Sequence, residues 1–180
     1  AVQSVLSNIA GGLVILVTKP FQLGDLVETA DGLGTVKEIS LTFTKLETPD
    51  GLWLMTPNSV LSSGKITNYT ALGRRRAEIR VGASYDAAVS DVRAACLDAA
   101  ARVPGVLPDP APIVYVDSYG ESSISYIVRV WCRSEDYTDV YYGLTEGLKA
   151  AFDEHGVEMP YNHLNIHILD QTEQKEKQTV

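Results

Sequence analysis

Three histidines, two cysteines and a scatter of acidic pairs are the side chains here that could do chemistry. His163 and His167 share one face of an extended segment, because side chains alternate along a strand. A metal site needs further ligands, and no Cys or acidic cluster stands beside them, so packing accounts for the pair. His155 precedes Gly156 at the expected end of a helix, where a cation interacts well with the helix dipole; capping accounts for it. Glu135-Asp136 and Asp153-Glu154 sit at helix ends and read as solvated. Gly32-Leu33-Gly34 lacks the third glycine and the following helix of a dinucleotide fingerprint, and there is neither a phosphate loop nor a G-x-S-x-G turn. Trp131, Tyr137, Tyr141 and Tyr142 read as core and helix-surface packing rather than a stacking platform. The residues imply no enzyme, no metal and no cofactor.

The bulk properties narrow the class. A chain of 180 residues, 45% hydrophobic and 21% charged, suits one domain or two small ones with a real core. A net charge of −8 and a pI near 4.8 oppose a nucleic-acid surface, which needs clustered Lys and Arg. The basic run Arg74, Arg75 and Arg76 reads as the solvated start of a strand. Cys96 and Cys132 lie far apart and read as reduced thiols in a cytoplasmic setting. No basic segment precedes an apolar stretch, so no signal peptide is expected. The longest apolar run is 13–17, or 9–17 with glycines allowed, short of the roughly 20 residues of a spanning helix. Taken alone the chain looks soluble. It opens in mid-helix pattern without an initiator Met and is expected to be a piece of something longer.

Three zones must position whatever function there is. The first is a nearly uncharged helix that should finish near Lys19, because Pro20 disfavours helical geometry before it. Small residues (Ala1, Ser4, Ser7, Ala10, Gly11, Gly12) make one smooth face, opposite bulky Val2, Val5, Leu6, Ile9, Leu13 and Leu16; this suits close helix packing as in membrane bundles and equally a hydrophobic helix packed on its own domain. Gly11-Gly12 is a natural bend point. The second zone is rich in β-branched residues: a strand at 26–30, a tight turn at Asp31-Gly32, one long bent strand at 34–46, a turn at Pro49-Asp50-Gly51, a short strand at 52–55, a break at Pro57-Asn58 and a last strand at 65–69. Short strands with hairpin turns predict a small β barrel or sandwich. In the third zone a strand at 77–81 is followed by a helix capped by Asp86 and running to about Arg102, with Val89, Val92, Cys96 and Ala99 on one face. Strands at 113–116 and 123–131 meet at Gly120. A second helix, 136–155, buries Val140, Leu144, Leu148 and Phe152 and stops at Gly156. A final strand near 165–168 completes βαββαβ, the ferredoxin-like order. The fold class is α+β.

Beyond that point the chain resembles a known family. Gln3-Ser4-Val5-Leu6-Ser7-Asn8-Ile9-Ala10-Gly11-Gly12-Leu13 looks like the second half of the pore-lining helix of the small-conductance mechanosensitive (MscS) channels. Lys19-Pro20-Phe21 and then Gly24-Asp25 look like its exit into the β domain. Gly32-x-Gly34-Thr35-Val36-x-x-Ile39, Thr44, Asp50-Gly51 and the Pro-Asn step of Thr56-Pro57-Asn58 follow in order. Val81-Gly82-x-x-Tyr85-Asp86, Ser122-Ser123-Ile124, Val128-Arg129-Val130-Trp131 and Pro160-Tyr161 continue the pattern.

The resemblance implies a homoheptamer that membrane tension opens to release ions and small osmolytes, in a bacterial or archaeal-type inner membrane with this portion cytoplasmic. It implies residues 1–21 as the end of the pore helix, 22–70 as a Sm-like β domain, 74–168 as a ferredoxin-like cage domain, and 169–180 as a polar tail or barrel strand. Gly12 falls at a hinge glycine; Ser4 stands where many members have another; Asn8 faces neighbouring structure and tunes gating. The leucines that seal the pore, and the membrane helices that meet lipid, would lie upstream of Ala1. No cofactor and no nucleic acid are implied. The competing reading is a soluble oligomeric binding module whose Sm- or OB-like barrel contacts RNA through Lys65 and Arg74 to Arg76.

Overall fold

The computed structural model describes residues 2–164 and residue 166. Helix α1 (Val2–Thr18) carries no charged residue in either end turn. It ends where the sequence predicts: Lys19 turns left-handed at φ 47° ahead of Pro20, its N–H still donating to the Ile15 carbonyl at 2.8 Å.

Five strands and a short helix follow: β1 (Leu26–Thr29), β2 (Gly32–Ile39), β3 (Phe43–Glu47), β4 (Trp53–Pro57), α2 (Asn58–Ser63) and β5 (Thr67–Asn68). They form one antiparallel sheet in the order β4-β3-β2-β1-β5. Three expectations need correction. The long strand over 34–46 is two strands, β2 and β3, with the chain reversing between Ser40 and Phe43. The β1–β2 turn is made by Ala30-Asp31, since Thr29 pairs with Gly32. Pro57-Asn58 does not simply break a strand: it starts α2. The alternation of β1 to β3 buries Val27, Val36 and Leu46, and their partners are Ile15 of α1, Phe21 just beyond it and Leu61 of α2. Burying each such side chain contributes about 1.5–3 kcal/mol, so the end of α1 is part of this core rather than an appendage.

The second half holds β6 (Arg74–Ala83), α3 (Val89–Arg102), β7 (Ile113–Tyr119), β8 (Ile124–Arg133) and α4 (Tyr137–Glu154). The sheet order is β6-β8-β7, all antiparallel. Arg74 to Arg76 lie inside β6, paired with Arg133, Cys132 and Trp131, not ahead of it. Asp86 does not cap α3, which begins at Val89 with Ala88 at its N-cap; the Asp86 N–H donates to the Ser84 hydroxyl instead. Val92, Cys96 and Ala99 face the core as expected, whereas Val89 is half-exposed. Val140, Leu144, Leu148 and Phe152 of α4 pack against them. Gly156, at φ 66°, ends α4 as the sequence predicts. At the far ends of the two helices Asp98 receives the His155 ring nitrogen at 3.0 Å, and Arg102 bridges Asp98 and Glu154. The expected final strand near 165–168 lies outside the described residues, save Ile166, and His167 and the tail at 169–180 lie outside them too.

The whole is α+β, with one core per sheet. Both cysteines are free and buried, and burial pushes the Cys96 thiol up to about 12. In the second core the Tyr126 ring is buried and its hydroxyl has no partner among the described residues. An unpaired buried hydroxyl is a cost, so Tyr126→Phe should leave stability unchanged or raise it by about 1 kcal/mol in urea denaturation; a loss of about 2 kcal/mol would contradict the placement of that side chain.

Candidate functional site

No described group of His, Cys, Asp and Glu could hold a metal ion. The polar groups that converge do so where α1 sits on the first sheet. Asn58, at the start of α2, is fully buried. Its Nδ2 donates to the Ser40 carbonyl at 2.8 Å, its Oδ1 accepts from the buried Thr44 hydroxyl at 2.8 Å, and its N–H donates to the Thr42 carbonyl at 3.0 Å. One residue thereby ties the β2–β3 turn, strand β3 and the start of α2 together.

Helix α1 closes over this knot. Gly11 and Gly12 are buried. A Cβ on Gly11 would stand 2.6 Å from the Asn58 carbonyl oxygen, and one on Gly12 would overlap the Leu41 carbonyl and stand 2.8 Å from Asn58 Nδ2. The glycine pair therefore acts as a seat: only without side chains can the helix backbone touch the main chain of the turn and of α2. One turn earlier, Asn8 Oδ1 accepts the Ser59 N–H at 3.1 Å. That N–H is one of the donors a helix start leaves unsatisfied, and α2 has no side-chain cap of its own. Asn8 caps α2 from another helix. Ser4 stands exposed a turn above Asn8.

Below the seat, the chain leaves α1 through Pro20 and the buried Phe21 to Gly24, at φ 90°, and Asp25. Asp25 Oδ2 accepts from the Gln22 N–H and from Asn68 Nδ2, both at 2.8 Å, while Oδ1 accepts from the Thr70 hydroxyl at 2.9 Å. Burial works against the charged carboxylate, but the bonds from Asn68, Gln22 and Thr70 outweigh it and hold the pKa below its ordinary 3.8. Of the remaining predicted positions, Gly32 (φ 141°) opens β2 directly after the Ala30-Asp31 turn, Gly51 (φ 82°) lies in the β3–β4 turn, Gly34 packs on Leu46, and Pro57 occupies the N-cap position of α2. The structure brings Asn8, Gly11, Gly12, Pro57 and Asn58 together and leaves Ser4, Gly32 and Gly51 apart from them. It also adds Ser40 and Leu41, which sequence reasoning missed because they act through carbonyls that any residue carries.

The other face of α1 is apolar and uncovered: Val2, Leu6, Leu13 and Val17 are 83%, 65%, 53% and 80% exposed. No helix among the described residues is long and apolar enough to cross a membrane. The RNA-binding reading weakens here, because Arg75 lies between the rings of Tyr69 and Tyr137, and Arg76 is paired with Glu78 at 2.6 Å.

Comparison with known proteins agrees with this architecture. Residues 4–71 match the family description "Mechanosensitive ion channel, beta-domain", and residues 77–159 match "Mechanosensitive ion channel MscS, C-terminal". A small-conductance mechanosensitive channel of Edwardsiella ictaluri is 32% identical over 168 residues, covering 93% of this chain and 59% of the relative. An uncharacterized MscS family protein of Archaeoglobus fulgidus is 33% identical over 165 residues, covering 89% and 57%. The crystal structure of Helicobacter pylori MscS in its closed state superposes with a TM-score of 0.87 at 29% identity, covering 95% of this chain and 68% of that one. The chain belongs to the MscS family of mechanosensitive channels, a non-enzyme class whose members sit in the membrane. It spans 59% of the length of its Edwardsiella relative.

Two outcomes test the site. Asn58→Ala leaves the Thr44 hydroxyl and the Ser40 carbonyl without partners and should cost about 1–3 kcal/mol in chemical denaturation; no loss would mean the knot is not structural. For Asp25, the folded pKa lies below the unfolded one. Its contribution is therefore present above about pH 4 and lost as pH falls through the folded value. Asp25→Asn should be less stable than the parent at pH 7, with the difference shrinking in acid; a difference that grows in acid would reverse the sign.

Proposed function

We propose that this chain is the cytoplasmic portion of a tension-gated channel that releases ions and small osmolytes on hypo-osmotic shock. In this reading residues 1–21 end the pore helix, 22–70 form the β domain and 74–168 form the cage domain. Seven copies assemble, and segments upstream of Ala1 supply the seal and the contact with lipid.

One observation carries the reading: α1 is docked on the sheet by a side-chain-free seam and presents bare apolar side chains on its other face. Such a helix is built to be held at one end by a folded domain and covered elsewhere by lipid or by other helices. Tension biases a channel toward the state of larger in-plane area, and that bias reaches this chain only through the helix. A seat at Gly11 and Gly12, capped by Asn8, makes the lower helix move with the β domain, so bending is expected above Asn8, toward Ser4, rather than at Gly12.

The test joins the chain to its upstream spanning segments in lipid vesicles and applies suction to patches. Stretch-activated conductance is expected, with survival of osmotic downshock in cells lacking their own channels. Gly12→Val, which overpacks the seat by about 1–3 kcal/mol, should shift the tension threshold without abolishing assembly. A protein that assembles yet neither conducts under tension nor protects cells would overturn the proposal.

A further inference from the structure

The two halves of the chain share no core: the apolar clusters of the first and second sheets are separate. A polar-edged cleft of about 490 Å³, lined among others by Leu26, Thr70, Gly73 and Ser134, opens between them. Their relative orientation must then rest on few contacts, and one of them is unusual. Alternation along β6 sends Arg74, Arg76, Glu78 and Arg80 to the open face of the sheet, and Arg75, Ala77 and Ile79 to the face that the helices cover. Arg75 thus points away from its two basic neighbours. Its guanidinium carbon lies 3.5 Å from the ring centroid of Tyr137, the first residue of α4, and 4.6 Å from that of Tyr69, which follows β5. Among the described residues no carboxylate pairs with it.

Each ring is anchored in its own half. The Tyr69 N–H donates to the Leu26 carbonyl at 2.9 Å, and its hydroxyl donates to the Glu28 carboxylate at 2.6 Å. Tyr137 stacks on Tyr141 one helical turn on, with centroids 6.1 Å apart. Beside the sandwich, the Ser134 N–H donates to the Gly73 carbonyl at 3.1 Å and its hydroxyl to the Tyr69 carbonyl at 3.2 Å.

We propose that Arg75 is the positioning residue of this joint: its guanidinium, clamped between a ring of the first half and a ring of the second, sets how the α/β half is oriented against the helix-bearing sheet. A planar cation can stack on two faces at once, whereas a lysine ammonium offers no plane to the second ring. The inference does not depend on what passes through the protein, so it can fail or hold separately from the channel reading.

The test places spin labels at Asp50→Cys and Glu146→Cys, both exposed and one in each half, in chain diluted with unlabelled copies; Cys96 and Cys132 are buried. Arg75→Met, Arg75→Lys and Tyr137→Leu should each broaden the distance distribution about twofold, while Tyr137→Phe, which keeps the ring, stays as narrow as the parent. Circular dichroism checks that each variant folds. For one that does not, Tyr69→Leu opens the same sandwich from the other side and must broaden the distribution in the same way. A narrow distribution in a folded Arg75→Met, or a Tyr137→Phe as broad as Tyr137→Leu, would overturn the proposal.

Discussion

The contact on which the rest depends is between main chain and main chain, at Gly11 and Gly12. Because neither residue carries a Cβ, the backbone of α1 reaches the carbonyls of Leu41 and Asn58 directly. Everything nearby is arranged to make that approach possible. Asn58 holds the β2–β3 turn in the position the helix meets, and Asn8 satisfies the start of α2. Ile15 and Phe21 then complete the apolar core beneath. Remove the close approach, and the helix would be joined to the sheet only by its last turn. Glycine weakens a helix interior by about 1 kcal/mol relative to Ala. The docking contact offsets that weakness, and in this structure the pair forms a seat.

This changes how strain would travel. A helix seated by a side-chain-free seam, a cap from Asn8 and two buried anchors behaves as part of the domain it enters. The exit through Pro20, Gly24 and Asp25 is fixed as well, since the Asp25 carboxylate accepts from Gln22, Asn68 and Thr70. The upper helix exposes its apolar side chains Val2, Val5 and Leu6. In the proposed reading, the boundary between the part that moves with the sheet and the part that does not lies near Asn8.

What the sequence showed and what it hid divide along one physical line, the range of the interactions involved. The stop at Pro20, the glycine end of α4 at Gly156, and the buried stripe Val140, Leu144, Leu148 and Phe152 are encoded within a turn or two of themselves, and all were legible. The turn that splits 34–46 contains neither Gly nor Pro. It is held by Asn58 from 18 residues away, so nothing local announces it. Helix α2 is six residues long and takes its cap from Asn8, 51 residues earlier, which is why Pro57-Asn58 read as a mere break. Arg75 read as one of three solvated cations. Its different role depends on strand parity, which became visible only once β6 was seen to begin at Arg74. Gly11-Gly12 was legible as special, but its partners were not, because carbonyl groups leave no mark on a sequence.

Amide hydrogen exchange along α1 tests the central claim most directly. If the helix is seated as described, the amides around Gly12 to Ile15 are protected in the parent chain, and Asn58→Ala selectively removes that protection while the amides of β8 and α4 keep theirs. Amides of α1 that exchange freely in the parent chain, or that remain protected in a folded Asn58→Ala, would show that the helix does not depend on the seat.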